Sequence, residues 1–180
     1  MVYLFLADGH EEIEALTVVD LLRRASIEIE TVSITGKRAV TGSHGITHEA
    51  DRLFDEIDGS KADMLILPGG MPGTLNLEAY TPLQSLVTKN CGEGKYIAAI
   101  CAAPTVFGKW GLLIGKKACC YPDMESGLTG AKVTYDNVTV DGNVITSRGL
   151  GTAIDFGLTI VSLLKDEESA SSLSKKIVYR

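Results

Sequence analysis

The stretch "KYIAAICAAPTVFG", residues 95–108, decides the fold. An apolar run rises to Ile100 and stops at Cys101, and small residues and then Pro104 follow it. A short continuous apolar run is typical of a strand that is covered on both faces of a sheet, and proline suits the first turn of a helix. The stretch therefore predicts a buried strand that gives way to a helix, with a thiol at the bend.

The same alternation of strand and helix continues along the chain. Short apolar runs predict strands, and apolar residues at helical spacing predict helices between them. The predicted strands are Val2–Leu6, Ile27–Ile34, Met64–Leu67 and Tyr96–Ile100, and the predicted helices are Glu11–Ala25, Pro82–Lys89, Thr152–Leu164 and Glu167–Val178. Hairpins are predicted at Val40–Thr47 and, around Asp141-Gly142-Asn143, between Val138–Val140 and Val144–Thr146. This order predicts an α/β sandwich with a mostly parallel sheet and helices on both faces.

Length and composition predict a single domain over residues 1–180. The formal charge of −6 and the scattered basic residues argue against nucleic-acid binding, which needs clustered Lys and Arg. No apolar run is long enough for a bilayer, and Val2–Ala7 lacks the basic flank of a signal peptide. We therefore expect a cytoplasmic protein without a membrane partner, in which the four cysteines stay reduced. The spacing of Cys and His fits no zinc pattern, so no metal site is expected.

Cys101 has the surroundings of a nucleophile on a sharp strand-to-helix turn. Ala99 and Ala103 lie two residues before and after it, and such a turn accepts only small side chains at its flanking positions. The turn places the sulfur at the start of a helix, where free N–H groups and the helix dipole favour a thiolate. The alternative is a buried, inert cysteine, which is common in apolar surroundings.

Glu14 is a candidate partner of this thiol. On a helix it shares an apolar face with Val18, Leu22 and Ala25. A carboxyl group on such a face needs a partner or stays protonated, and a protonated carboxyl can donate a hydrogen bond to a thiolate. Alternatively, Glu14 is an ordinary acid of the first helical turn. Glu11 falls near the same face, so periodicity alone does not single out Glu14.

Loops that follow strands form the expected binding edge, because parallel α/β sheets bind ligands beyond the carboxyl ends of their strands. Four such segments are rich in Gly or other small residues: Asp8–His10, Pro68–Gly73, Cys101–Pro104 and Arg148–Gly151. The N–H groups of Gly69-Gly70 are candidate oxyanion donors facing Cys101. An ordinary tight turn after a strand is the alternative for this pair of glycines.

Taken together, these stretches resemble the ThiJ/PfpI superfamily, the family of the parkinsonism-associated deglycase and of YajL-like bacterial proteins. The matching segments are Glu11-Glu12-Ile13-Glu14-Ala15, Leu67-Pro68-Gly69-Gly70, residues 98–104 (AAICAAP) and residues 146–153 (TSRGLGTA). They lie in matching order, and the resemblance covers nearly the whole chain. It implies a flavodoxin-like three-layer sandwich and usually a homodimer.

The resemblance also implies a site and a chemistry. Cys101 would be the nucleophile, Glu14 the protonated carboxyl bonded to its sulfur, and the N–H groups of Gly70 and Ala102 the anion pocket. In this family the cysteine is readily oxidised to sulfinic acid. Family activities include cofactor-free conversion of methylglyoxal or glyoxal to hydroxy acids, repair of early glycation adducts, and a redox-regulated chaperone role. The expected partner is thus a small reactive carbonyl or a glycated protein.

Two positions depart from the family pattern. Tyr121 occupies the place where many members carry a histidine close to the cysteine, and tyrosine is a poor base at neutral pH. His44 occupies the place of an arginine that often reaches the neighbouring subunit's site. One hypothesis is that Tyr121 contacts the substrate and that His44 supplies the missing imidazole across a dimer interface. Alternatively, His44 is an ordinary surface-loop histidine.

Two other functions compete with glyoxalase or deglycase chemistry. A cysteine peptidase or glutamine amidotransferase needs a histidine base, yet Ala102 follows the nucleophile and no histidine lies downstream. A redox sensor or chaperone that responds through oxidation of Cys101 is compatible with the same low-pKa thiol. Cys119 and Cys120 are either resolving thiols for oxidised Cys101 or small packing residues, and the second interpretation is favoured.

Overall fold

The computed structural model of the chain describes residues 1–179. Its strands are β1 (Val2–Leu6), β2 (Ile29–Ser33), β3 (Ala39–Thr41), β4 (Thr47–Glu49), β5 (Arg52–Leu53), β6 (Met64–Leu67), β7 (Tyr96–Ile100), β8 (Lys117–Ala118), β9 (Lys132–Val133), β10 (Val138–Asp141) and β11 (Val144–Ser147). Its helices are α1 (Glu12–Arg24), α2 (Gly73–Ala79), α3 (Thr81–Gly92), α4 (Pro104–Lys109), α5 (Ala153–Leu164) and α6 (Glu167–Lys176).

The central sheet has seven strands in the order β10-β11-β7-β6-β1-β2-β5. Its strands pair in parallel, except for the edge strand β10, which is antiparallel to β11. The predicted strands β1, β6 and β7 have the predicted bounds, and both predicted hairpins are present as β3-β4 and β10-β11. A parallel sheet with one antiparallel edge confirms the predicted α/β class.

Two apolar layers cover the two faces of this sheet. Alternate residues of β1 point to opposite sides: Val2, Leu4 and Leu6 pack with α1, α5 and α6, whereas Tyr3 and Phe5 pack with α2, α3 and α4. All five of these side chains are buried, as expected for a strand between two helical layers. The arrangement is the three-layer sandwich that the sequence predicts.

The turn after β7 differs from the prediction in one respect. Residues 101–103 form a separate turn, and α4 begins only at Pro104 and has six residues. The helix dipole grows with aligned peptide units and acts mainly within the first turn. The expected stabilisation of a Cys101 thiolate by a helix dipole therefore has to be corrected, because the sulfur precedes a short helix by a full turn.

Sheet topology sets the position of the site. β1 lies between β2 and β6, so the chain moves outward from β1 in one direction through β2 and in the other through β6 and β7. The carboxyl ends of β1, β6 and β7 meet at one edge beside this change of direction, where open α/β sheets place their ligands. Within residues 1–179, no helix is both long and apolar enough to cross a membrane.

Candidate active site

Cys101 follows the last residue of β7 in a left-handed backbone conformation, with φ of 65°. Such a conformation costs energy for a residue that has a Cβ atom, and it persists only where neighbours hold it. Here the Cys101 N–H donates to the carbonyl of Ser147 at 3.0 Å, and the Cys101 carbonyl accepts from the N–H of Tyr121 at 2.7 Å. These two bonds hold a half-buried thiol on a sharp turn.

Glu14 projects from the first turn of α1 toward this thiol, and it is 1% exposed. Its side chain is hydrogen-bonded to Cys101, and its Oε2 accepts the backbone N–H of Gly69 at 3.0 Å. Burial, together with the charge of Glu11, raises the pKa of Glu14 to about 7, although the bonds from Cys101 and Gly69 oppose this shift. Glu14 can therefore hold or release a proton near neutral pH.

The backbone N–H groups of Gly70 and Ala102 point at the Cys101 sulfur and favour its charged form. Gly69 must lack a side chain, because a Cβ atom there would lie 2.6 Å from Cys101 Cβ and 2.7 Å from Glu14 Oε2. Gly70 has φ of 90°, and a Cβ atom there would lie 2.3 Å from the nitrogen of Glu11. The two glycines therefore have separate roles: Gly69 bonds to Glu14, and Gly70 bonds to the sulfur.

The thiol and the carboxyl titrate as a pair. Burial, then the charge and hydrogen bond of Glu14, raises the pKa of the Cys101 thiol to about 12, against the two backbone donors. The expected low-pKa thiol therefore needs correction, since Cys101 next to an ionised Glu14 resists deprotonation. Hydrogen-bonded groups lose their protons in steps that belong to the pair. After the first proton is lost, the remaining negative charge can lie on either Glu14 or the sulfur.

Three glutamates at the start of α1 have three different partners. Glu11 is the N-cap residue, and its side chain accepts the N–H of Glu14 at 2.6 Å. Glu12 accepts the N–H of His44 at 2.8 Å and is 3.0 Å from His44 Nδ1. Burial opposes ionisation of Glu12, but these bonds and the backbone N–H of Ile46 lower its pKa to about 2. Of the three, only Glu14 bonds to the thiol.

The side chains of His44 and Tyr121 lie outside the group that bonds to the sulfur. The hydrogen bonds of the His44 side chain go to Ser43 and Glu12, and the side chain is 68% exposed. Tyr121 is half exposed, and its ring lies beside Gly149, where a Cβ atom would be 3.4 Å from the ring and 3.8 Å from Glu14 Oε1. Tyr121 therefore lies near Glu14, and His44 is bonded to Glu12.

Within residues 1–179, Glu11, Glu12 and His44 form a group with the spacing of a metal site. Their ligand atoms lie within 4.8 Å of one another. All three side chains are already engaged, because Glu12 bonds to His44 and Glu11 Oε2 bonds to the backbone of Glu14. We interpret the group as a hydrogen-bond network that fastens the β3-β4 turn to α1.

The β3-β4 hairpin also contacts the loop after β1 through a pair of histidines that the sequence did not predict. His10 is fully buried; its Nδ1 is 2.9 Å from the carbonyl of Ala7, and its Nε2 is 2.9 Å from His48 Nε2. Burial lowers the pKa of His10 and outweighs the bond to Ala7. The residue spacing gave no indication of this pair, because it depends on the packing of β4 against the loop after β1.

The chain as a whole has counterparts among known proteins. Residues 1–163 match the DJ-1/PfpI family. The chain belongs to the DJ-1/PfpI family. A crystal structure of a DJ-1 superfamily protein from Salmonella typhimurium has a TM-score of 0.95 and 35% identity, and the match covers 99% of this chain and 98% of that one.

Two similar proteins are DJ-1 proteins of a plant and an insect. DJ-1 homolog B of Arabidopsis thaliana is 41% identical over 97% of this chain, which spans only 40% of the length of that protein. DJ-1beta of Drosophila melanogaster is 37% identical, with 96% of this chain and 94% of that protein covered. The chain therefore spans less than half of the plant relative and nearly all of the insect relative.

Proposed function

We propose that this DJ-1/PfpI protein is a cysteine-dependent, cofactor-free glyoxalase or deglycase-type enzyme. It acts on small reactive carbonyls such as methylglyoxal and glyoxal, or on early glycation adducts of proteins, in cytoplasmic stress defence. One observation carries the proposal: the Cys101 sulfur lies between a carboxyl that can hold a proton near pH 7 and two backbone N–H donors.

The first chemical step is addition of sulfur to the aldehyde carbon. The S–C bond forms as the carbonyl π bond breaks, and the oxygen takes the proton held by Glu14, giving a hemithioacetal. Developing negative charge on oxygen is stabilised by preorganised N–H donors, and Gly70 and Ala102 supply donors at this position. Glu14 is left as a carboxylate beside the adduct.

The second step is a proton transfer that leaves the overall oxidation state unchanged. The Glu14 carboxylate removes the proton from the carbon bonded to sulfur, and the hydroxyl proton on that carbon passes to the ketone oxygen. Glu14 then returns its proton to the neighbouring carbon. This converts the ketone and hemithioacetal into a hydroxy thioester. Water then cleaves the C–S bond, so that the hydroxy acid leaves and Cys101 recovers its proton.

A named relative supports this chemistry. The glutathione-independent glyoxalase DJR-1.2 of Caenorhabditis elegans is 31% identical over 93% of this chain and 89% of that protein. The test is methylglyoxal consumption by the purified chain without glutathione. We expect Cys101→Ser to abolish consumption and Glu14→Gln to reduce it about 100-fold, in the range of a general acid–base contribution. Equal consumption by wild type and Cys101→Ser would contradict the proposal.

A second candidate function is redox sensing or chaperone activity through oxidation of Cys101. Its support is the partly accessible sulfur with an acidic neighbour, and a similar solved structure described as oxidised DJ-1 of Toxoplasma gondii, at a TM-score of 0.95 and 33% identity. Protection of a client protein that needs peroxide treatment and Cys101, without methylglyoxal turnover, would favour this function over the enzyme.

We further propose that the chain forms a homodimer through the start of α1 and the β3-β4 turn. Ile13, Leu16 and Ile46 are 49%, 39% and 55% exposed, and the N–H of Ile46 is 3.4 Å from Glu12 Oε1, next to Ile13. Contiguous exposed apolar residues favour an interface. His44 is on the same turn, which supports the hypothesis that it reaches the partner's site.

The dimer and the His44 role are tested separately. Ile46→Glu is expected to give a monomer by light scattering, because it places a charge in the apolar face. His44→Ala is expected to leave the dimer intact and to slow methylglyoxal turnover. A His44→Ala dimer with unchanged turnover would show that Tyr121, not His44, stands in for the family histidine or that no substitute is needed.

A further inference from the structure

Glu11 contacts both halves of the proposed site without touching the sulfur. Its side chain is 10% exposed, and Oε2 accepts the backbone N–H of Glu14 at 2.6 Å. Its own backbone N–H donates to the carbonyl of Gly69 at 2.8 Å. Gly69 in turn donates to Glu14. One residue thus connects the helix that carries the acid with the loop that carries the donors.

The charge of Glu11 acts on Glu14, whose backbone N–H its carboxylate binds. It raises the pKa of Glu14, whereas the charge that raises the pKa of the Cys101 thiol is that of Glu14. The exposed His44 ring has its Nδ1 3.9 Å from Glu11 Oε1 and 3.0 Å from Glu12 Oε2. Its contact with Glu11 is therefore the longer of the two.

We propose that Glu11 is a positioning residue that moves the shared negative charge of the Glu14–Cys101 pair from the carboxyl onto the sulfur. The proposal rests on Cys101 being the nucleophile of the proposed function, but not on which carbonyl it attacks. At pH values above the first pKa of the pair, the two groups together hold one proton and one negative charge. A fixed charge beside Glu14 disfavours the carboxylate form, so the thiolate form gains population.

Backbone hydrogen-bond donors stabilise a negative charge on the Cys101 sulfur. Gly70 and Ala102 each direct a backbone N–H at it, whereas Glu14 receives one backbone N–H, from Gly69. Loss of the Glu11 charge should therefore have two linked effects. The first proton should leave the pair at lower pH, and the sulfur should hold a smaller share of the charge once it has left.

The experiment is the pH profile of Cys101 alkylation by iodoacetamide, a neutral probe, followed by mass spectrometry of the peptide. Glu11→Gln keeps an oxygen acceptor for the N–H of Glu14 and removes the charge. We expect its profile to step at lower pH, with a plateau three- to tenfold below that of wild type, since one pKa unit is a factor of ten. Glu11→Asp keeps the charge and a good N-cap, and it should restore the plateau.

Glu28→Gln is the matched control, because it removes the same charge from an exposed position beyond the other end of α1. Its profile should equal that of wild type. If glutamine at position 11 prevents folding, Glu11→Ser supplies a neutral N-cap of high preference and should show the same lower plateau. A loosened helix would not lower both the pH of the step and the alkylation rate at the plateau. A shift in both quantities therefore separates a positioning role from a merely structural one.

Three results would overturn the proposal in distinguishable ways. A wild-type profile with a step near pH 7, together with Glu11→Gln or Glu11→Ser profiles that match it, would reject the role of Glu11 and leave the proposed nucleophile intact. A wild-type profile with no step below the range of an ordinary cysteine, about 8.5, would reject both. An Asp variant that behaves like Gln would show that side-chain length, not charge, is what matters.

Discussion

Cys101 and Cys120 both have thiols whose pKa is raised to about 12, and in both burial is the main cause. Their hydrogen bonds nevertheless run in opposite directions. The Cys101 sulfur accepts from the N–H groups of Gly70 and Ala102, whereas the Cys120 thiol donates to the carbonyl of Tyr121 at 3.3 Å. Donors stabilise a thiolate, and a carbonyl acceptor stabilises the neutral thiol.

Cys119 resembles Cys120 in this respect. It is fully buried, and its thiol donates to the carbonyl of Thr146 at 3.3 Å. The interpretation of both as packing residues agrees with these neutral contacts. The comparison teaches that the partners of a thiol, and the proton that Glu14 can exchange with it, distinguish a reactive cysteine from an inert one even where the pKa values agree.

The largest expected effect is a difference in alkylation rate between the two kinds of thiol. At pH 8 we expect iodoacetamide to modify Cys101 at least about 100-fold faster than Cys119 or Cys120, because reactive cysteines combine thiolate character with exposure. Quantitative mass spectrometry of the native protein measures all three in one sample. Half-buried Cys91 serves as an internal reference for a thiol outside the site. Equal rates at Cys101 and Cys120 would contradict the distinction between a reactive and an inert thiol.

The architecture could be predicted from the sequence to a large extent. The strands β1, β6 and β7 are short apolar runs. Such a run predicts a strand that is buried on both faces of a sheet, and no detail of the tertiary contacts is needed for that prediction. Helix α2 was missed, because its segment opens with Gly73 after Pro72 and has no strong apolar period. Its fold depends on the backbone bond from Thr74 to the carbonyl of Gly70 and on burial of Leu77.

The carboxyl partner of Cys101 could not be selected from residue spacing. Glu11 and Glu14 both fall near the apolar face of α1, and the choice between them is made by Gly69, which is 55 positions further along the chain from Glu14. The residues alone also predict one shared role, oxyanion donation, for Gly69 and Gly70. Only the tertiary contacts show that one donates to the acid and the other to the sulfur.

A second way to sharpen the comparison is the pH dependence of stability. The pKa of Glu14 rises from 4.5 to about 7 on folding, so the folded state binds this proton more tightly than the unfolded state. The resulting stability is fully present below pH about 4.5 and is lost as the pH rises through about 7. At about 1.4 kcal/mol per pKa unit, the loss is about 3 kcal/mol.

The measurement is urea unfolding of wild type and Glu14→Gln between pH 4.5 and 8. Only wild type should lose this increment, so the difference in free energy of unfolding between the two should fall across the window. The difference is needed because His10, whose pKa is lowered by burial, changes stability in the opposite direction. Cys120→Ser should keep the wild-type pH dependence, since no proton exchanges with Cys120 in this window. A flat difference between wild type and Glu14→Gln would mean that Glu14 titrates normally.

The smallest effect concerns the close packing of Gly69 against the pair. Alanine at this position would put its Cβ atom 3.0 Å from the Cys101 sulfur and closer still to Cys101 Cβ and Glu14 Oε2. We expect Gly69→Ala to lower the free energy of unfolding by roughly 2 kcal/mol, the usual cost of an extra methyl group in a packed site. Gly92→Ala is the matched control, because nothing lies within 4 Å of its Cβ position in α3.

Thermal and urea unfolding measure the cost at Gly69, and the rate of Cys101 alkylation reports whether the pair separates. The expected result is slower alkylation of Cys101 in Gly69→Ala and unchanged rates at Cys119 and Cys120. The added methyl group would contact Cys101 and Glu14, and neither of the other two cysteines is among its nearest neighbours. Gly92→Ala should match wild type in all three rates. If Gly69→Ala kept wild-type stability and alkylation, the contact between the glycine, the acid and the thiol would be looser than the distances indicate, and the contrast between Cys101 and Cys120 would have to rest on exposure alone.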